Sequence, residues 1–218
     1  MKYNTLLFGS IGTLIETSDL QRVSFNEAFK EIGLDWHWDK QDYQKLLKKS
    51  GGTKRIEDFA EKNNTRVEAT KLRDRKTEIF NQKLLSEKLL PREGVIDIIN
   101  YAKKNNIKIG LVTSTTKNNI DSIFFALKNF FVREDFNFIA NNTMVTNVKP
   151  HPDIYLEAIK YLNQNSKNCI AIEDSRESAL SAYNAQIPCI AFPGIFHQND
   201  DYDFCIKKML KLDTSIFN

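Results

Sequence analysis

Short apolar runs alternate with amphipathic segments over most of the chain. The apolar runs cover residues 3–8, 107–113, 136–140, 169–172 and 188–192. Runs of this length without polar alternation are typical of strands buried on both faces of a parallel sheet. Helical periodicity follows at residues 95–102, 120–127 and 154–162, the last directly after a proline and an aspartate. This alternation predicts an α/β fold with a doubly wound parallel sheet.

Residues 18–88 interrupt the alternation of strand and helix. This stretch has helix-like segments at residues 19–32, 40–49, 54–62 and 67–87, and no convincing strand pattern. The pattern predicts a small helical cap of residues 18–88, inserted after the first strand into a core formed by residues 1–17 and 89–218. Near the end of the chain, residues 203–206 are predicted to form a short edge strand and residues 207–210 a helical turn.

Composition narrows the range of functions only slightly. A hydrophobic fraction of 41%, a charged fraction of 27% and a formal net charge of +3 are those of an ordinary globular protein. The charges are well mixed, so nucleic-acid binding has little support, and no apolar run approaches the length of a membrane span. The three cysteines are interpreted as free thiols. We therefore expect a cytoplasmic location; no protein partner is indicated.

Polar or special residues follow the apolar runs at four places. A glycine-containing loop, residues 9–13, follows the first run, and Ser114 follows the second. Lys149 lies just before a predicted helix, and Glu173 and Asp174 end the run that starts at residue 169. The carboxyl ends of parallel strands lie at one edge of the sheet, where open α/β folds bind ligands. We expect these side chains to meet there.

The order and spacing of these four motifs resemble the haloacid dehalogenase superfamily, in particular its phosphatases and phosphomutases with a helical cap. The first motif of that family reads FDxDGTLxD, whereas this chain has FGSIGTLIE at residues 8–16. The resemblance implies that the first aspartate attacks phosphorus, the second transfers protons, and Mg²⁺ neutralises the phosphate. Gly9 and Ile11 stand at these two positions, and neither side chain can attack phosphorus or transfer a proton.

The remaining motif residues are those of a phosphate site. By the resemblance, Ser114 donates a hydrogen bond to a phosphate oxygen and Lys149 contributes a positive charge. The backbone N–H groups of residues 10–12, including those of Ser10 and Gly12, are expected to point into the same space.

Two carboxylates remain for a metal. Glu173 and Asp174 are expected to hold Mg²⁺ weakly, or to pair with Lys149 and leave the protein without a cofactor. Mg²⁺ prefers a complete octahedron of hard oxygen ligands, and Gly9 supplies no carboxylate.

The cap contains a second local resemblance. The segment SGGTKRI, residues 50–56, is similar to the glycine-rich cap loop of sugar-bisphosphate phosphatases associated with carbon fixation. The resemblance implies that Lys54 and Arg55 contact a phosphate group of the substrate. The segment is equally consistent with an ordinary helix start bearing solvated charges.

Together these features predict a phosphatase-fold protein that binds a small phosphorylated, sugar-like metabolite without aspartate-based phosphoryl transfer. One alternative is a slow Mg²⁺-dependent phosphatase that uses bound water. Another is a structural or partner-binding protein whose pocket is filled by its own side chains.

Overall fold

The structure is a computed structural model that describes residues 2–48 and 51–217. The chain divides into two compact units. One comprises the residues up to Glu16 together with those from Lys88 onward, and the other is Thr17–Glu87. We refer to them as the core and the cap; their limits lie one residue from the predicted segment 18–88. Ser50, the first residue of the predicted cap loop, lies outside the described residues.

The described part of the chain contains six strands and eight α-helices. The strands are β1 (Thr5–Phe8), β2 (Lys108–Leu111), β3 (Phe138–Ile139), β4 (Cys169–Glu173), β5 (Cys189–Ala191) and β6 (Lys207–Lys208). The cap helices are α1 (Ser18–Glu31), α2 (Lys40–Leu46), α3 (Gly52–Lys62) and α4 (Ala69–Ser86). The core helices are α5 (Val95–Lys104), α6 (Lys117–Ala126), α7 (Asp153–Tyr161) and α8 (Arg176–Asn184).

The six strands form one sheet with every neighbouring pair parallel, in the order β3-β2-β1-β4-β5-β6. All residues of β1, β4 and β5 are buried, which accounts for their uninterrupted apolar sequences. The strand order reverses between β1 and β4, and ligands of open α/β folds bind at such a point. The predicted doubly wound α/β fold is therefore confirmed.

The cap has its own aromatic core. Trp38 is completely buried and lies with its ring centroid 4.8 Å from that of Phe25 and 4.7 Å from that of Phe29. The backbone N–H of Trp38 donates to Asn26 Oδ1 at 2.8 Å, and the Asn26 amide donates back to the Trp38 carbonyl. Aromatic packing and paired hydrogen bonds thus fix the segment between α1 and α2.

The prediction for the end of the chain is wrong. The edge strand β6 forms at Lys207–Lys208, where a helical turn was expected, and the preceding residues form turns. The Cys205 N–H donates to the Tyr202 carbonyl at 2.8 Å, and the Ile206 N–H then joins the Cys189 carbonyl of β5 at 2.9 Å. The pairing with β5 outweighs a weak local helical pattern because it satisfies backbone groups at the sheet edge.

None of the helices in the described residues combines the length and apolar character needed to span a bilayer.

Candidate functional site

The loop after β1 is a compact turn. The Gly9 N–H continues the sheet by donating to the Ile172 carbonyl at 3.0 Å, and the Leu14 N–H closes the turn on the Ser10 carbonyl at 2.8 Å. Gly12 has φ of +83°, a conformation that favours glycine. Its N–H donates to the Ile15 carbonyl at 2.8 Å, so this amide is engaged within the turn. Its binding to phosphate stays a prediction.

Arg92 holds this turn from outside the motif. Its guanidinium donates to the carbonyl of Gly12, to that of Phe192 at 2.7 Å and to that of Pro193 at 2.8 Å. The same group lies 3.4 Å from the centroid of the Phe192 ring. A planar guanidinium is suited to such stacking and to several donors at once. Arg92 therefore ties the loop after β1 to the segment after β5.

Hydroxyl groups line the ends of β1 and β2. Ser10 Oγ donates to Thr113 Oγ1 at 2.7 Å, and both side chains are buried. Ser114 Oγ is also buried, but it has no hydrogen-bond partner among residues 2–48 and 51–217. A buried hydroxyl without a partner costs about 1–3 kcal/mol of folding stability. The Ser114 hydroxyl would recover this cost by donating to an acceptor that reaches it.

Lys149 and Glu173 form a buried ion pair. Lys149 Nζ contacts Glu173 Oε1 and also donates to the Val112 carbonyl at 2.9 Å. The Tyr155 hydroxyl donates to the same carboxylate oxygen. Burial, reinforced by the negative charge of Glu173, raises the pKa of Tyr155, which keeps the phenol protonated as a donor. Of the two predicted uses of Glu173, the structure displays the pairing with Lys149.

Asp174 lies against the turn rather than in this ion pair. Its Oδ1 is 3.5 Å from Thr13 Oγ1, and its carboxylate occupies the space that a Cβ on Gly12 would need. Burial, together with the charge of Glu173, raises the pKa of Asp174 to about 6, against opposing effects of His197 and Lys149. Near pH 6 this carboxyl group is therefore half protonated.

The two carboxylates of this site, Glu173 and Asp174, do not fit a magnesium ion. Among the described residues, no group of three or more His, Cys, Asp and Glu side chains is placed to hold a metal. Glu173 Oε1 already accepts from a lysine and a tyrosine, and Gly9 has no side chain. Mg²⁺ demands hard oxygens in near-octahedral geometry, and two carboxylates with different neighbours do not supply it.

The predicted cap contacts have local partners. Lys54 Nζ is 2.7 Å from Asp58 Oδ1 on the same helix, and both side chains are exposed. Arg55 Nε donates to the Leu46 carbonyl at 3.0 Å, and its guanidinium lies 5.7 Å from the centroid of the Tyr43 ring. Lys54 thus forms an ordinary surface pair, whereas Arg55 is positioned inside the cap. Phosphate binding by either residue stays a prediction.

Sequence reasoning missed a third cap cation, Lys76. Its side chain is buried, and its Nζ lies 4.8 Å from the centroid of Phe25 and 5.0 Å from that of Phe80. Burial, with the charges of Arg55 and Arg73, lowers the pKa of Lys76 to about 7. A signal was available: Lys76 interrupts the apolar positions 72, 80 and 84 that recur every four residues along α4.

Two further residues of the core site gave weaker signals. Tyr155 lies within the apolar periodicity of α7, where a tyrosine is indistinguishable from a packing residue. Arg92 follows a proline, three residues before α5, and resembles any solvated charge in the sequence. Only the fold shows that Tyr155 reaches a carboxylate and that Arg92 reaches the loop after β1.

A parallel sheet with hydroxyl, ammonium and carboxylate groups at the carboxyl ends of its central strands, and with a helical insert after the first strand, is a doubly wound α/β fold with a polar site where its strand order reverses. The chain matches the family model of haloacid dehalogenase-like hydrolases over residues 11–192, and it belongs to this family.

Similar proteins and solved structures agree with this classification. The chain is 34% identical over 200 residues to Protein CbbY of Cereibacter sphaeroides, covering 90% of this chain and 87% of that protein. It is 29% identical to the β-phosphoglucomutase of Bacillus subtilis, covering 81% and 77% of the two chains. A crystal structure of CbbY from Rhodobacter sphaeroides in complex with xylulose-1,5-bisphosphate has a TM-score of 0.87 and 31% identity, covering 96% and 94%.

Proposed function

We propose that this protein binds a small phosphorylated, sugar-like metabolite in the core and does not form an aspartyl-phosphate there. One observation carries this proposal: the Ser114 hydroxyl, which has no partner within the described part of the chain, lies three residues after β2 and two residues after the carbonyl that Lys149 Nζ contacts. A phosphate oxygen would give Ser114 its missing acceptor and would meet the positive charge of Lys149.

The absence of a nucleophile supports the second half of the proposal. Gly9 begins the turn after β1, and Ile11 is half-buried within it. Glycine has no side chain and isoleucine has a hydrocarbon one, so neither position offers an ionisable oxygen. Covalent phosphoryl transfer to the first motif needs such an oxygen. The turn itself is intact, and it is held by backbone hydrogen bonds and by Arg92. The arrangement therefore suits binding more than turnover.

The ligand class is proposed from charge and from the relatives. CbbY has been crystallised both with xylulose-1,5-bisphosphate and with phosphate. In this chain no set of three acidic or histidine ligands occurs among the described residues, so binding is proposed to proceed without a divalent cation. Because Asp174 has a pKa of about 6, protonation below that pH removes one negative charge that opposes an anion.

Isothermal titration calorimetry with inorganic phosphate and with a sugar bisphosphate, in EDTA, tests the proposal. We expect binding by the native protein and at least about a tenfold loss in Ser114→Ala and in Lys149→Met, since each variant removes a bond to a charged group. Ser122→Ala and Lys160→Met are the controls, because Lys160 is exposed and the half-buried Ser122 donates only to the Asn118 carbonyl of its own helix at 3.0 Å. The proposal fails if the native protein binds neither ligand or if the site variants bind as well as the controls.

A slow hydrolase that activates water is the second candidate. The observation in its favour is a carboxyl group with a pKa of about 6, Asp174, next to the motif turn. A general base is most useful when its pKa lies near the working pH. Turnover of phosphoesters in Mg²⁺ that disappears in Asp174→Asn and in Lys149→Ala would favour this candidate. A partner-binding role would instead leave every phosphorylated ligand unbound.

A further inference from the structure

The space above Gly9 is filled by another residue of the core. A Cβ placed on Gly9 would overlap Oε2 of Glu173 and would come within 2.6 Å of Thr13 Oγ1. Real Cβ atoms do not tolerate such approaches, so Gly9 and the present position of Glu173 depend on each other. The carboxylate of Glu173 therefore lies where a side chain at position 9 would begin.

Two donors keep Glu173 in this place. Lys149 Nζ and the Tyr155 hydroxyl both contact its Oε1, and the exposed fraction is 1% for Glu173 and 8% for Lys149. A buried carboxylate of this kind is stable only while its charge is compensated, and the same holds for the lysine. Removal of either partner alone would leave an uncompensated charge in the interior and would destabilise the core.

We propose that Glu173 is a built-in anion that competes with the ligand's phosphate group for Lys149. This inference rests on the proposed phosphate site. A phosphate that reaches Lys149 must displace the carboxylate or accept a negative charge beside it. Both arrangements weaken binding, because like charges at short range repel strongly away from water. Glu173 thereby lowers the affinity for a phosphate group, and a ligand with further contacts overcomes this competition more readily than inorganic phosphate does.

The decisive variant is Glu173→Gln, which keeps the shape and the acceptor oxygen but removes the charge. We expect inorganic phosphate to bind Glu173→Gln at least about tenfold more tightly than the native protein in calorimetry with EDTA. Glu157→Gln, which changes a partly exposed glutamate on α7, is the matched control and should leave the affinity unchanged. Equal or weaker binding by Glu173→Gln overturns the inference.

Tyr155→Phe provides a second route if Glu173→Gln folds poorly. It keeps the charge of Glu173 but removes one of its two donors, so the carboxylate is displaced more easily and phosphate should bind more tightly, by a smaller factor than in Glu173→Gln. Unchanged or weaker binding by this variant also counts against the inference.

A measurement of stability tests the steric half independently of any ligand. Gly9→Ala should lower the melting temperature in the native background, and by less in Glu173→Ala, where the Thr13 hydroxyl is the remaining close neighbour of the new Cβ. An equal loss in both backgrounds refutes the dependence of Gly9 on Glu173.

The outcomes separate this inference from the proposed function. Binding by the native protein without a gain in Glu173→Gln preserves the phosphate site and removes the competing role of Glu173. Binding by Glu173→Gln alone preserves the competition and shows that the native protein excludes phosphate.

Discussion

Lys76 offers a direct test of how the cap tolerates a buried amine. Its pKa is lowered from 10.5 to about 7, a shift of roughly 3.5 units, or about 5 kcal/mol at 1.36 kcal/mol per unit. The contacts with the Phe25 and Phe80 rings return about 1–2 kcal/mol of this. We therefore expect Lys76→Met, which keeps the length and removes the charge, to stabilise the cap by about 3–4 kcal/mol at pH 6.

The sign of the pH dependence follows from the same shift. Below pH 7 the amine is protonated in the folded and unfolded states, and the full cost of burying the charge is present. Between about pH 7 and 10.5 the folded state has lost the proton of Lys76 while the unfolded state keeps it. The unfolded state then binds more protons, so the free energy of unfolding rises with pH. In Lys76→Met this rise should be absent.

The chain carries a convenient reporter for this measurement. Its two tryptophans, Trp36 and Trp38, both lie in the cap, so tryptophan fluorescence during urea denaturation follows that unit. The titration is repeated at pH 6, 7, 8 and 9. Lys71→Met is the matched control, because Lys71 is an exposed lysine on the same helix. If Lys76→Met is no more stable than this control at pH 6, or keeps the pH slope of the native protein, the reasoning is wrong.

Three further outcomes are expected in the core. Gly9→Asp should lower the melting temperature in EDTA, and Mg²⁺ should restore it while leaving the native protein unchanged, since the new carboxylate adds to the two acids at the end of β4. Arg92→Lys should cost about 2–3 kcal/mol in urea denaturation followed by circular dichroism, because a lysine cannot bond three carbonyls in one plane; unchanged stability would contradict this. Hydrogen peroxide should form a disulfide between Cys189 and Cys205, whose thiols are hydrogen-bonded, so that the number of free thiols falls from three to one. That bond should stabilise the core by about 3 kcal/mol. A bridge that mass spectrometry assigns to Cys169 would contradict the expected pairing.

The sheet was predictable because its strands are buried on both faces. The first four residues of β4 are apolar and buried, and this requirement is visible in the sequence. The helical cap was predictable because, after the first strand, helix-like apolar periodicity continues over several segments with no strand pattern between them. By contrast, β6 has two lysines and no apolar residue. Its strand conformation comes from pairing with β5, a long-range contact that no local pattern encodes.

The candidate site was predictable in its members and not in its contacts. Ser114, Lys149 and Glu173 could be assigned to one edge from the sequence, since Ser114 follows β2, Glu173 ends β4 and Lys149 lies just before α7. Which oxygen each lysine contacts depends on packing. Tyr155 was missed because a buried phenol has the periodicity of a core residue. The position of the Glu173 carboxylate above Gly9 was also missed. A glycine in the sequence shows that a side chain is absent, but not which neighbouring group fills its space.

Arg92 has a consequence for how such a fold can change its chemistry. Three carbonyl oxygens from two loops converge on one guanidinium, so the backbone around the first motif is braced by a residue that takes no part in phosphoryl transfer. The turn can therefore keep its backbone shape although positions 9 and 11 have no acidic side chain. Reactivity and architecture are separable here, and that separability makes the chain a starting point for designing new anion receptors.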